Sequence, residues 1–441
     1  MIRGRARSLP KSPIGRVFAN TAWLLGGKAF GALCGIAYLV ILTRTLGLKG
    51  FGHFSLIFGT AQALIAIAGF QSWQIVVRYG APHVHAGEWR EFGRLGMFCG
   101  LLDAIGAAFG CLLAWLLIYH SDGLIHINPQ YVDPAFYFCC AMQWSRVSAP
   151  TGIVRALDRF DMAVYVEAVV PIGRLAAATS IWATGPTVVK FLIGWAVVDL
   201  IQAAAYWAMA RRLCPDAVRV SYARDWRQAI TNNPGIQQFA LITYAASTLE
   251  AIMRDGPLLA VGAFVGTRAA GLYRLATQLS QALSKLSTLL TRAVYTEIAR
   301  ARISSEPEEF RRLAVQTSLI AAGAGAVVVT IAVFGGGQLL ALLGGDAFAG
   351  GASILIPLAI AASFELASVA FEPVLHSTGR ARYALIARAV AVAAMAVAMI
   401  FLVRYGAPGI AWAVAVGGVV SFLALGFMAR RTLNGMEHRV A

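Results

Sequence analysis

Charge is what this sequence has least of. Only 13% of its 441 residues are Asp, Glu, Lys or Arg, while 59% are hydrophobic. A soluble chain carries roughly 25% charged residues, so a water-soluble globular protein is excluded. The six cysteines are scattered, most of them within or beside apolar runs (Cys34, Cys99, Cys111, Cys139, Cys140). That is small-hydrophobe usage, not a disulfide framework. No Walker motif occurs, and the glycine run FGGGQLLALLGGD (334–346) has no GK[ST] behind it, so ATP is not expected to drive this protein directly. His83-x-His85 has metal-like spacing, but no Cys or carboxylate cluster accompanies it. No metal and no cofactor are expected.

What the chain does have is apolar runs of about twenty residues, recurring from end to end with a mean hydropathy of +0.68. That length crosses a hydrocarbon core ~30 Å thick. Windows of about nineteen residues place spans near 18–42, 53–77, 95–119, 134–154, 161–183, 187–210, 238–264, 270–295, 313–335, 350–373, 383–403 and 408–429. Polar residues weaken those at 134–154 and 238–264. The basic N-terminus resembles a signal-peptide head, but the run behind it is too long and lacks an A-x-A site. It reads as a first, uncleaved span. The expected class is an all-α polytopic membrane protein.

Lys and Arg give the orientation. Alternate segments hold nearly all of them, among them Arg3, Arg5, Arg7, Arg90, Arg94, Arg211, Arg212, Arg219, Arg300, Arg302, Arg380, Arg382 and Arg388, whereas the opposite set holds only Arg44, Lys49, Lys190, Arg268 and Arg404. The rich side is cytoplasmic, so both termini lie inside and the span number is even. The net charge of +16 is thus spread over every second loop to meet anionic lipid. A nucleic-acid binder would gather it on one surface. The opposite loops are short. His120 to Asp133 is the longest, and Asp122 and Asp133 are thin material for a catalytic domain, so an enzyme is not expected.

An internal repeat organises the spans. LGLKGFGHFSLIFGTAQALIAIAG from Leu46 aligns with VGTRAAGLYRLATQLSQALSKLST from Val265 at a constant offset of 219 residues. Gly47 meets Gly266, Gly52 meets Gly271, Phe54 meets Tyr273, and Gln62-Ala63-Leu64 meets Gln281-Ala282-Leu283. RALDRFD (155–161) and HSTGRAR (376–382) follow the fourth span of each half. The chain therefore divides into two six-helix lobes, 1–222 and 223–441. Six spans in each lobe, an even number, make them parallel repeats, related by an axis along the membrane normal and expected to enclose a central cavity.

Charges at depth mark its expected lining. LEAIMRDGPLLA (249–260) carries Glu250, Arg254 and Asp255 within a span. Three charges near mid-helix cost roughly 8–10 kcal/mol, at about 2.5–3.5 each, and the surrounding apolar residues return about 3–5 kcal/mol. This face must meet protein or water. Glu250 and Arg254 are spaced for a helical ion pair, and Pro257 is expected to break the helix. Lys28 lies about ten residues into the first span, ~15 Å along the helix, and Lys285 lies centrally in the eighth. Lys28, Arg254 and Lys285 suit an anionic group. Glu250, Asp255, Asp103 and Glu365 are candidates for pairing or ion coupling. Arg146, Arg174, Arg274, Glu167, Asp199 and Glu372 sit nearer helix ends or within reach of partners.

The repeat segments resemble those of the polysaccharide repeat-unit flippases, Wzx type, of the multidrug/oligosaccharidyl-lipid/polysaccharide (MOP) superfamily. LTRTLGLKGFGHFSL (42–56), RDGPLLAVGAFVGTRAAGLYRLA (254–276) and LLGGDAFAGGASILIPLAIA (342–361) with HSTGRARY carry the likeness. The resemblance implies a MATE-like pair of lobes forming a V. It further implies movement of undecaprenyl-pyrophosphate-linked oligosaccharide to the periplasmic leaflet of the inner membrane, for lipopolysaccharide (O-antigen) or exopolysaccharide synthesis. Lipid II flippases of the superfamily have two extra spans, for which this chain leaves no room. Drug-extruding relatives often carry an acid in the first span, where this chain has Lys28. A cation-coupled multidrug antiporter stays open as an alternative, and more distantly a membrane glycan polymerase or ligase. Expected partners are the lipid-linked oligosaccharide, membrane lipids, a proton or sodium gradient, and a polysaccharide polymerase with its chain-length regulator. Nucleic acid is not among them.

Overall fold

The computed structural model describes residues 13–120, 127–300, 307–368, 371, 375 and 381–440. Helices dominate them, and no strand occurs among the described residues. The reason is the solvent: in lipid a backbone must satisfy its own hydrogen bonds, and a helix does so within one segment. In chain order the helices are α1 (Pro13–Ala68), α2 (Ser72–Ala86), α3 (Trp89–Tyr119), α4 (Val132–Trp144), α5 (Ser148–Ala156), α6 (Phe160–Glu167), α7 (Val169–Ala183) and α8 (Val188–Leu213). After a linker of 3-10 turns come α9 (Trp226–Thr231), α10 (Ile236–Phe264), α11 (Thr267–Arg300), α12 (Pro307–Gly344), α13 (Ala352–Ala367), α14 (Ala381–Leu402) and α15 (Gly406–Val440). The expected spans fall on these helices or on broken runs of them: 18–42 and most of 53–77 share α1, 134–154 takes α4 and α5, 161–183 takes α6 and α7, and the end of 350–373 lies largely outside the described residues. Among the described residues, seven stretches are by themselves long and apolar enough to cross a membrane, and one of them, Arg382–Arg431, holds parts of both α14 and α15. Large apolar side chains such as Phe334, Ile400, Phe401 and Phe427 point outward. Each would cost about 1.5–3 kcal/mol in water, and in a bilayer they face hydrocarbon. The chain is a multi-pass membrane protein.

The packing separates two compact units. One comprises the described residues through Thr45, with Phe70–Phe109 and Cys140–Leu241, and the other Leu46–Gly69, Gly110–Cys139 and the described chain from Ile242 onward. In the first unit Ile75, Val76, Phe92, Leu95 and Ile153 build a core that Ala217, Ala229 and Ile236 of the linker region complete. Tyr38 and Phe191 each pack edge to face on Trp195 in the same unit. The expected fourth span is two helices, α4 and α5, parted at 145–147. Asp103 of α3 reaches the second piece, its Oδ2 accepting from the Ala149 amide at 2.7 Å.

In the second unit the repeat is visible in the backbone. Gly47 (φ 63°) interrupts α1, and its counterpart Gly266 (φ 111°) separates α10 from α11. Positive φ at both positions is open to glycine and strained for most other residues. Five residues on, Gly52 and Gly271 meet each other. A Cβ on Gly52 would lie 2.0 Å from the Thr267 carbonyl oxygen, and one on Gly271 would lie 3.2 Å from the Gly52 nitrogen. Small residues are what lets helices approach where lipid supplies no hydrophobic drive. This unit also holds the end of α3 and the first part of α4, within Gly110–Cys139, and most of α10 with α11 to α15; in it α13 packs against α11, α12 and α15, and α14 against α15.

Candidate functional site

The second unit holds a cavity of about 540 Å³ walled by α10, α11, α13, α14 and α15, within the range of roughly 300–1,000 Å³ typical of ligand sites. From α10 come Glu250, Met253 and Arg254, at helical spacing on one face. That helix runs unbroken through Pro257, contrary to expectation. Pro257 has no amide to give the Met253 carbonyl, and Met253 lies on the cavity wall.

The face of α11 is a polar ladder. Thr277, Ser280, Gln281, Ser284 and Lys285 line the cavity at i, i+3, i+4, i+7 and i+8, the 3.6-residue stripe of one helix side. Two of its hydroxyls are spent on their own helix: Thr277 Oγ1 donates to the Tyr273 carbonyl (2.8 Å) and Ser284 Oγ to the Ser280 carbonyl (2.9 Å). Ser368, opposite on the stretch after α13, donates to the Glu365 carbonyl (2.8 Å). A hydroxyl donates once, so toward the cavity these three offer acceptor oxygens.

The charges form two pairs of opposite sense. Asp255 is buried beside the cavity and accepts from Arg254 Nε (3.1 Å) and a terminal guanidinium nitrogen (2.9 Å). The Asp255 side chain is 5% exposed and that of Arg254 51%, so the cation is the member presented. Glu250 pairs instead with Arg388 of α14 at 3.2 Å, and there the carboxylate is the more open member, 59% against 29%. The Glu250–Arg254 pair that the spacing suggests is not formed. Lys285 and Glu365 are exposed on the wall, and no ion pair to Lys285 is found among the described residues.

Of the expected residues, Glu250, Arg254, Lys285 and Glu365 therefore meet in one cavity, with Asp255 anchoring Arg254 from behind. Asp103 lies elsewhere, in the first unit, its Oδ1 taking the Ser72 hydroxyl (2.7 Å) and its Oδ2 the Ala149 amide. The Lys28 side chain and all of Asp122, His126, Glu372 and residues 376–380 lie outside what the structure describes. Arg174 is bound to Asp199 at 2.8 Å, and Arg155 lies 3.8 Å from Glu167. The ring nitrogens of His83 face Glu88 (2.7 Å) and Asn233 (3.2 Å). Arg388 and the α11 ladder were missed. Arg388 reads as a loop arginine but sits seven residues, about two turns, inside α14. The ladder's periodicity was the available signal.

A helical membrane bundle with a charged, hydroxyl-lined cavity has the build of a multi-pass carrier. The chain belongs to the family described as polysaccharide biosynthesis proteins, whose model matches residues 17–302. It is 26% identical over 332 residues to the inner membrane protein YghQ of Escherichia coli K12, covering 75% of this chain and 92% of that one. Its fold is similar to that of an inward-facing multidrug resistance MATE transporter of the MOP superfamily, with a TM-score of 0.69 at 14% identity over 93% and 96% of the two chains. It is likewise similar to the lipid II flippase MurJ in an inward closed conformation, with a TM-score of 0.68 at 12% identity over 92% and 86%.

Proposed function

We propose that this protein is a flippase moving undecaprenyl-pyrophosphate-linked oligosaccharide repeat units across the inner membrane, for lipopolysaccharide or exopolysaccharide synthesis. It works by alternating access of two six-helix lobes, 1–222 and 223–441, with both termini in the cytoplasm. The observation that carries the reading is the cavity: a presented Arg254 with Lys285 and Arg388, beside a hydroxyl ladder, in a member of a polysaccharide biosynthesis family. A pyrophosphate exposed to hydrocarbon meets a prohibitive Born cost, tens of kcal/mol per charge in the idealised limit. Cationic groups in a wet cavity offset much of it. Arginine adds a planar fork for phosphate oxygens, and lysine a compact point charge. Lys28 serves as a further cation on the substrate's path. A proton or sodium gradient drives the cycle, and a polymerase with its chain-length regulator takes the product. Loss of the gene is expected to leave lipid-linked repeat units on the cytoplasmic leaflet and to deplete the surface polymer. Unchanged surface glycan and unchanged precursors in a non-redundant background would overturn the reading.

One observation favours a second reading. Glu250 and Glu365 are carboxylates open to the same cavity, the kind of group that holds a cationic drug. A cation-coupled multidrug antiporter would make a deletion strain accumulate cationic dyes. Normal dye efflux in that strain excludes it.

A further inference from the structure

The cavity wall carries more than cations. Its hydroxyls at Thr277, Ser284 and Ser368 have given their protons to helix carbonyls, so they meet a ligand as acceptors. A carboxylate is acceptor-only. Glu250 keeps an open side chain although its Oε2 is held by Arg388, and Glu365 of α13 is an exposed residue of the same lining. Glu250 and Arg254 are one turn apart on the same face of α10, ~6 Å along the axis. An anion-binding fork and an acceptor-rich surface thus adjoin.

On the reading of the cavity as a pyrophosphate site, we infer that Glu250, with Glu365 and these hydroxyls, forms a subsite for the first sugar and selects a neutral one rich in hydroxyl and N–H donors against one bearing a carboxylate. Hydroxyl and acylamino groups of a neutral sugar donate to these oxygens. A uronic acid brings a second carboxylate against Glu250, and like charges brought together are the repulsive element by which a site rejects a competitor. Arg254 and Lys285 attract the pyrophosphate common to both ligands, and their charge favours an acidic sugar, so a preference for the neutral one reports the carboxylates.

The test uses the full-length protein in lipid nanodiscs and three probes: farnesyl diphosphate, its N-acetylglucosamine conjugate and its glucuronic acid conjugate. The neutral conjugate is expected to bind about tenfold more tightly than the acidic one, a modest factor in keeping with like charges brought together at exposed, solvent-screened carboxylates. Glu250→Gln should bring that ratio close to one, since the amide keeps the shape and loses the charge, while farnesyl diphosphate affinity holds or rises, because the change removes a negative charge and releases Arg388. Glu365→Gln should narrow the ratio as well. Binding of farnesyl diphosphate itself certifies that a variant is folded and its anion site intact. If farnesyl diphosphate does not bind the wild type at all, the pyrophosphate reading fails and this inference falls with it. If it binds, and the wild type does not prefer the neutral conjugate or the ratio is unchanged in whichever variant still binds the diphosphate, the subsite is wrong and the pyrophosphate site stands.

Discussion

Among the described residues, Arg174–Asp199 and Arg254–Asp255 are ion pairs within spans, and they differ in what they show to the outside. In the first unit Arg174 and Asp199 are both hidden, 13% and 9% exposed, with the guanidinium also beside the Trp195 ring at 5.6 Å. In the second, Asp255 is as hidden as Asp199, but its arginine stands half in the cavity. The first pair is closed on itself: both members are hidden and neither is presented to a ligand. The second uses its carboxylate as an anchor that aims a cation outward. Intramembrane charge is therefore not by itself a sign of function; what decides is whether one member of the pair is left presented.

Breaking the closed pair should cost the most stability. Removing one member strands the other in a low-dielectric site, about 3–5 kcal/mol. Asp199→Ala is expected to lower the unfolding temperature in detergent sharply and to reduce the amount of protein in the membrane. Replacing both by apolar residues of similar volume, Arg174→Met with Asp199→Leu, should recover most of it. If Asp199→Ala unfolds like the wild type, the pair is not the structural clasp described.

Asp103 gives a smaller effect of the same kind. It joins Ser72 of α2 and the first turn of α5, where helix amides lack intrahelical partners. Asp103→Ala leaves the Ser72 hydroxyl and the Ala149 amide without their acceptor, and a buried donor left unsatisfied costs about 1–3 kcal/mol. Hydrogen exchange should rise at the start of α5 before it rises elsewhere. Protection spread evenly over the unit would count against a local cap.

These residues also mark how far the sequence can be read. The spans are legible because hydrophobic length is a local property, and Gly47 and Gly266 are legible as a repeat because their backbone requirement is local too. The parting of α4 from α5 is not, since the group that receives the new helix start, Asp103, is forty-six residues away. Pairing within α10 was misjudged for a related reason. The i, i+4 rule foresees Glu250 with Arg254, but the competing partner Arg388 comes from α14, 138 residues on. That Glu250, Arg254, Lys285 and Glu365 would share a cavity was foreseeable from sign and depth. Which of them would be presented was not, because exposure is decided by helices packing from far along the chain.

The smallest change in stability should accompany a large loss of function, and Lys285 is where the two separate. It stands exposed on the cavity wall with no ion pair among the described residues, so removing its charge strands no buried partner. Surface-like substitutions of this kind usually fall within about 0.5 kcal/mol. Arg254→Ala is a poorer probe, because it would leave Asp255 buried without its cation; pairing Arg254→Gln with Asp255→Asn removes that complication. Lys285→Ala, and the Arg254→Gln/Asp255→Asn double variant, are each expected to abolish export of lipid-linked glycan at native expression, with unchanged membrane insertion and near-wild-type unfolding for Lys285→Ala. Arg254→Lys should keep partial activity, because the sign of the charge survives while the fork does not. Normal export by Lys285→Ala and by the double variant would mean that a presented cation in this cavity is no more functional than the closed pair at Arg174 and Asp199.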